Sequence, residues 1–134
     1  MAKTKAKASS HPIEELMAKK SGILSKAQAL TTMGLPETAQ PLWASAASYE
    51  ERIASLLDAH KESLEAAVHR ISAASCYQKA GDPSRATNLY RAALAGPLCD
   101  ITRNEVEEML TECLAFLLDA APRKAVEALA APDD

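Results

Sequence analysis

The turn Gly81-Asp82-Pro83 constrains the fold of this chain more than any other stretch. Glycine favours the left-handed conformation that ends a helix, and an aspartate can accept hydrogen bonds from the first turn of the next helix. Proline suits a first helical position because the N–H that it lacks would have no partner there. Apolar residues recur every three to four positions on both sides of the turn. We therefore predict two helices joined as a hairpin.

The same spacing predicts helices further towards the N-terminus. The first helix is expected to open at Pro12 and to end at Gly34, for the reasons given above. The second is expected to begin between Pro36 and Pro41. Thr38 is the predicted N-cap, because it would leave Pro41 within the first turn, where proline does little harm.

An apolar stripe then runs through residues 42–75 without a glycine or a proline. Extended to its flanking residues, a single helix of this kind would have about 40 residues and be about 60 Å long, which is unusual for a small domain. We prefer a break within residues 58–63, DAHKES, capped by Asp58 or Ser63, with His60 as a boundary residue. One continuous helix is the alternative.

Two more helices are predicted after the glycine turn, the first over residues 83–95. The second has the pattern of a capping box, in which Thr102 and Glu105 bond each other's backbone N–H groups. Ile101 and Val106 have the spacing of the hydrophobic staple that accompanies such a box.

Length and composition favour one all-α domain. The chain has 134 residues, and its low aromatic content of 4% with abundant alanine and leucine favours helix over sheet. We predict a flexible basic tail at 1–10, a single helical domain at 11–121, and a short helix with a frayed acidic end at 122–134.

Charge and hydropathy exclude several classes of function. The formal net charge of −3 does not favour nucleic-acid or anionic-lipid binding, and no apolar run is long enough to span a membrane. We expect a cytoplasmic protein with no membrane span. We interpret the acidic residues of the predicted helix that starts near Thr102 as a solvated face: Glu105, Glu107, Glu108 and Glu112.

No catalytic or metal-binding pattern emerges from the sequence. Cys76, Cys99 and Cys113 lack metal-ligand spacing, and we interpret them as buried free thiols in a reducing compartment. Glu65 and His69 are expected to form an exposed i,i+4 pair, because the repeated E-x-x-H of metal-binding bundles is absent. There is no Gly-rich phosphate loop. We predict no enzymatic activity and no cofactor; a metal-binding or catalytic four-helix bundle is an alternative.

Two segments share a pattern around a turn glycine. In each, an alanine, an aromatic residue and a second alanine follow the glycine at equal spacing, and a further alanine precedes it. The positions are Ala27, Gly34, Ala39, Trp43 and Ala46 in the first segment, and Ala74, Gly81, Ala86, Tyr90 and Ala93 in the second. This pattern resembles the tetratricopeptide repeat (TPR), a pair of antiparallel helices. The two glycines lie farther apart than the family's repeat of about 34 residues, and Pro41 falls inside the family's second helix.

A second resemblance covers residues 62–119. These three predicted helices look like the microtubule-interacting-and-transport (MIT) bundle, in which a groove between helices accepts a partner helix. Together the resemblances imply an all-α fold of five or six helices. The helices would form antiparallel hairpins, arranged as a right-handed TPR-like array or as a compact bundle.

The TPR resemblance also implies a concave binding face. The family's carboxylate clamp is not carried over, because Leu24, Gln28 and Ser72 stand at its positions and none is cationic. The face would be lined by Lys20, Gln28, Thr31, Ser72, Ser75 and Tyr77. Such a neutral to weakly basic surface suits an apolar or helical peptide.

We therefore expect a non-enzymatic interaction module, acting as an adaptor, assembly factor or chaperone-like scaffold, whose partner is a protein or peptide rather than a small molecule. The main alternative is a structural bundle that self-associates, as a homodimer, through residues 38–80.

Overall fold

A computed structural model describes residues 2–120, with the side chains of residues 12–120. Five α-helices make up this part of the chain: α1 (Ala2–Thr32), α2 (Pro36–Ala59), α3 (Ser63–Lys79), α4 (Pro83–Leu94) and α5 (Asp100–Ala120). No strand occurs within residues 2–120. The predicted all-α fold of packed helical hairpins is confirmed. The short helix predicted after residue 121 lies outside the described residues.

Each helix packs against its neighbours in sequence: α1 on α2, α2 on α3, α3 on α4 and α4 on α5. Short turns make consecutive helices antiparallel, so α1, α3 and α5 run in the same direction. The middle helix, α3, therefore has α2 and α4 as its main partners. This arrangement decides which part of α3 stays uncovered.

Small side chains make up much of the core. Alanines from four helices are at most 1% exposed: Ala27, Ala39, Ala46, Ala47, Ala54, Ala66, Ala67, Ala73, Ala74, Ala86 and Ala93. Small residues let helix axes approach closely, and Trp43 and Tyr90 fill the space beside them. All of the alanines and aromatic residues that carry the repeated sequence pattern are buried.

Three of the four turns have the same geometry. Gly34, Lys61 and Gly81 take positive φ angles of 81°, 62° and 82°. The residue after each one donates its N–H to a carbonyl five positions earlier: Leu35 to Leu30 at 2.9 Å, Glu62 to Leu57 at 2.8 Å, and Asp82 to Tyr77 at 2.9 Å. These are Schellman motifs, which satisfy carbonyls left open at a helix end.

The break predicted within residues 58–63 is confirmed. His60 is the C-cap of α2, as its interpretation as a boundary residue requires. Asp58 and Ser63 are not the caps, because Asp58 lies inside α2 and Glu62 is the N-cap of α3, without a side-chain hydrogen bond. The sequence offers no glycine here, and Lys61 takes the left-handed conformation instead.

The starts of the first two helices differ from the prediction. Helix α1 begins at Ala2 rather than at Pro12, which lies inside it at the cost of one backbone hydrogen bond. Helix α2 begins at Pro36, so Thr38 is not its N-cap, and Pro41 lies inside the helix. The preference of proline for first turns is a tendency, and neither Pro12 nor Pro41 begins or ends its helix here.

Helix α4 begins as predicted. The side chain of Asp82 accepts a hydrogen bond from the backbone N–H of Arg85 at 3.2 Å, and Pro83 is the first helical residue. The helix ends at Leu94, whose carbonyl accepts a hydrogen bond from the Arg103 guanidinium at 2.7 Å. This contact joins the end of α4 to the first turn of α5.

The capping box predicted for α5 is wrong. The helix begins at Asp100, so Thr102 lies within the first turn and cannot cap it with Glu105. The predicted staple is also wrong, because Ile101 is 74% exposed whereas Val106 is fully buried.

The left-handed turns generate the first prediction. Replacing Gly34 with Ala should lower the free energy of unfolding by about 1–2 kcal/mol, because a Cβ is strained at this φ angle. No steric clash contributes, since the space around that Cβ position is open. Lys61→Gly should raise the free energy of unfolding by up to about 1 kcal/mol, because it removes that strain. Urea unfolding of the full chain, followed by circular dichroism, measures both.

Gly22→Ala is the control for these variants. Gly22 lies inside α1 with open space around its Cβ position. Alanine there should stabilise the chain by about 0.5–1 kcal/mol. Equal effects of the Gly34 and Gly22 substitutions would contradict the conformational argument.

Candidate functional site

The site is organised by α3, because side-chain hydrogen bonds join this helix to both of its neighbours. His69 bonds Glu50 on α2, and Tyr77 donates a hydrogen bond to Glu51 on the same helix at 2.6 Å. The other neighbour, α4, meets α3 through the hydroxyl of Tyr90, which donates to the side chain of Gln78.

One face of α3 is left without a covering helix. Leu64 and Val68 on this face are 54% and 47% exposed, although α3 is the middle helix of the five described. Ser72 and Ser75 continue the face and are half-buried. This strip of apolar and small polar side chains is the surface that we call the α3 face.

On one side, the α3 face is bordered by α1. A cavity of about 320 Å³ lies between the C-terminal ends of the two helices, lined by Gln28, Thr31, Thr32, Pro36, Trp43 and Lys79. The ammonium of Lys79 lies 4.6 Å from the centre of the Trp43 ring, a cation–π contact. The Trp43 indole N–H donates to the hydroxyl of Thr31 at 3.3 Å. The cavity thus combines an aromatic wall with hydroxyl, amide and ammonium groups.

On its other side, the α3 face is bordered by α5. A second cavity, of about 220 Å³, is lined by Gln78, Gly81, Pro83, Glu112, Cys113 and Phe116. Phe116 is 64% exposed. Both cavities lie near the C-terminal end of α3, and the α3 face runs between them.

A third cavity, of about 450 Å³, lies between α1 and α2 only, lined by Pro12, Glu15, Leu16, Lys19, Arg52, Ser55 and Leu56. None of its lining residues belongs to α3. Three of its lining side chains are charged. It is therefore separate from the α3 face.

A buried carboxylate links the three helices that support the face. Glu50 is only 2% exposed, and one of its oxygens lies 3.3 Å from the Lys20 ammonium and 3.1 Å from Nδ1 of His69. Burial alone would raise the pKa of Glu50. The His69 hydrogen bond and the charge of Lys20 outweigh it, and the pKa is lowered below its ordinary value of 4.5. The contact joins α1, α2 and α3 through one charged group.

The six residues predicted to line a concave face do not all lie on one surface. Gln28 and Thr31 share the cavity beside α1. Lys20 is held by Glu50, and Ser72 and Ser75 lie half-buried on α3. Tyr77 is only 2% exposed and lies between α2 and α4, away from the α3 face.

Several residues of the site were missed by reasoning from sequence. The expected exposed pair of Glu65 and His69 is wrong, because His69 is bonded to Glu50. Glu50 could have been found from its position, since it lies seven residues from both Trp43 and Leu57 on the buried side of α2. A charge in the centre of a buried stripe indicates a partner on a neighbouring helix.

The cysteines differ from one another. Cys76 and Cys113 are buried and free, as predicted, but Cys99 is exposed. Burial raises the pKa of the Cys76 thiol to about 11, so this thiol stays protonated and unreactive at neutral pH. Within residues 12–120, no three His, Cys, Asp or Glu side chains are grouped so that they could hold a metal ion.

Comparisons with known proteins do not assign the chain to a family. No protein-family model matches the chain, and neither a characterised protein nor a solved structure matches it significantly. Among the described helices, none is long and apolar enough to cross a membrane.

The buried carboxylate generates the second prediction. Glu50→Gln should lower the free energy of unfolding at pH 7 by about 1–2 kcal/mol, because Lys20 loses its counter-charge. The folded-state pKa of Glu50 is lowered from 4.5. Its contribution is therefore complete above that ordinary value and is lost as the pH falls through the folded-state pKa. The difference in unfolding free energy between wild type and variant should shrink over this acidic range.

Urea unfolding between pH 3 and pH 7 measures this difference. The control is Glu14→Gln, which changes an exposed carboxylate on α1. If the free energy of unfolding of Glu50→Gln stays below that of the wild type by the same amount across this pH range, packing rather than charge accounts for the destabilisation.

Proposed function

We propose that this protein is a non-enzymatic interaction module that binds a helix or peptide of a partner protein on the α3 face. The observation that carries the proposal is the exposure of Leu64 and Val68, at 54% and 47%, in the middle helix of the described array. Apolar side chains that remain exposed together at such a position are typical of interaction sites. The cavities on both sides of the α3 face supply pockets for anchoring side chains.

A TPR-like arrangement supports this proposal. Helices α1 and α2 form one hairpin and α3 and α4 a second, with equivalent glycine turns and equivalent buried alanine and aromatic positions. Helix α5 then takes the place of the first helix of a third unit. The MIT-like interpretation of residues 62–119 covers α3, α4 and α5, and it implies the same type of binding, a helix laid in a groove.

The buried titratable groups on α3 support a packing role for this helix rather than a catalytic one. The thiol of Cys76 is buried and its pKa is raised, whereas a nucleophilic cysteine needs a lowered pKa. The imidazole of His69 uses Nδ1 to bond Glu50. These groups serve packing in our proposal.

A second candidate function is self-association, favoured by the outer side of α5. Leu114 and Leu118 are 39% and 49% exposed there. They lie four residues apart and therefore on one side of the helix. In this alternative the module is a structural homodimer that joins through α5 rather than through residues 38–80.

A matched pair of variants tests the proposal. Helical and extended peptides that bind the full chain are first selected from a display library. Val68→Asp should weaken their binding by about tenfold or more, because it places a charge in the apolar site. Leu118→Asp, at nearly equal exposure, should leave binding unchanged. Both substitutions are at exposed positions, so each should change the unfolding free energy only slightly.

Fluorescence anisotropy measures the peptide affinity, and analytical ultracentrifugation measures the oligomeric state. A dimer that Leu118→Asp converts to a monomer would support self-association. If no peptide selected from the library loses affinity for the Val68→Asp variant, the result would count against the proposed function.

A further inference from the structure

The groove between α3 and α5 has two stripes of side chains as its walls. On α3, residues spaced alternately by four and three lie on one side of the helix: Leu64, Val68, Ile71, Ser75 and Gln78. On α5, a similar spacing gives a second stripe: Ile101, Glu105, Glu108, Glu112 and Phe116. The α3 stripe is mostly apolar. The α5 stripe has an apolar residue at each end and carboxylates between them.

The two stripes face each other. Gln78 ends the α3 stripe, and it lines the same cavity as Glu112 and Phe116, which end the α5 stripe. Both helices pack against α4, and they run in the same direction. The stripes meet at this end. Because both helices pack on α4 and run in the same direction, we expect the stripes to continue side by side towards their N-terminal ends, with α4 beneath.

The length of the groove suits a short helix. The α5 stripe extends about 22 Å from Ile101 to Phe116, at the usual rise along a helix axis. These two residues are 74% and 64% exposed, and Leu64 and Val68 on the opposite wall are about half exposed. The groove therefore offers apolar contacts along its length and at both ends of its acidic wall.

The carboxylates of the α5 stripe form no ion pair with a side chain in the described part of the chain. Glu105, Glu108 and Glu112 are exposed, and none takes part in an ion pair within residues 12–120. The nearby Arg103 is bonded to the carbonyls of Leu94 and Gly96 instead. Carboxylates three and four residues apart on a helix repel one another. A partner that supplied cations would relieve this repulsion.

We propose that the groove between α3 and α5 binds an amphipathic helix of a partner protein, whose apolar side packs on Leu64, Val68 and Phe116 and whose lysine or arginine residues lie along Glu105, Glu108 and Glu112. The inference rests on the proposed function and adds the chemistry of the partner. It replaces the neutral or weakly basic surface expected from the sequence with an acidic one. The charges orient the partner helix, and the apolar contacts supply most of its affinity.

Two designed peptides serve as probes. Both are amphipathic helices of about 18 residues with leucines on one side, long enough to cover the groove. One carries lysines along a single flank, and the other carries glutamates at the same positions. Fluorescence anisotropy with the full chain, at low and at high salt, gives the affinity of each peptide.

The lysine peptide should bind at least about tenfold more tightly than the glutamate peptide at low salt, and added salt should reduce this difference. Glu108→Lys should weaken binding of the lysine peptide by about 3- to 10-fold. Glu107→Lys is the matched control, because it makes the same change in net charge at an exposed position that lies about 100° around the helix. It should change the affinity by less than about twofold.

Three results would overturn the inference. They are equal binding of the two peptides, equal effects of the substitutions at 107 and 108, and no binding of either peptide. Display-selected peptides that require Val68 but tolerate Glu108→Lys would also overturn it, while leaving the proposed function intact. A failed display selection would instead count against the proposed function itself.

Discussion

Close approach of helices through alanine is the constraint on which the structure depends. Alanine side chains allow helix axes to approach closely, but each one buries little apolar area. The fold therefore needs other contacts to select one arrangement of the helices. Trp43 and Tyr90 fill the gaps beside the alanines. Three Schellman turns determine how α1 leads into α2, α2 into α3 and α3 into α4. Large apolar residues that the alanine core does not require are left at the surface, where α3 and α5 expose them.

The buried carboxylate of Glu50 adds specificity to this alanine core. Alanine interfaces tolerate sliding of one helix along another, because a small side chain fits at many positions. A carboxylate shared by Lys20 and His69 does not, since a shift of one turn would leave a charge buried without a partner. The contact thus favours the observed register of α1 and α3 across α2. That register brings Lys79 over Trp43 and so shapes the cavity beside the α3 face.

Much of the fold could be predicted from the sequence, and the exceptions have physical causes. Gly34 and Gly81 were found because glycine is the usual residue at a left-handed position, whereas Lys61 takes the same conformation without any sequence signal. The α3 hairpin and the Asp82 cap depend on local chemistry and were predicted correctly. The partners of His69 and Tyr77 lie 19 and 26 residues away, beyond the reach of spacing rules. Of the six residues predicted for a binding face, Ser72 and Ser75 therefore lie on the α3 face and Gln28 and Thr31 line the cavity beside it, whereas Lys20 and Tyr77 are held by contacts with α2.

The sequential packing of the helices also has a consequence for folding. Nearly all of the extensive contacts join helices adjacent in the chain, so little loop-closure entropy opposes their formation. Topologies of this type have low contact order and fold within microseconds to milliseconds. Their stability approximates a sum over neighbouring pairs, as in a one-dimensional array. Helices with two packing partners should then exchange amide hydrogens most slowly, which makes α3, the helix that carries the binding face, one of the most persistent elements of the protein.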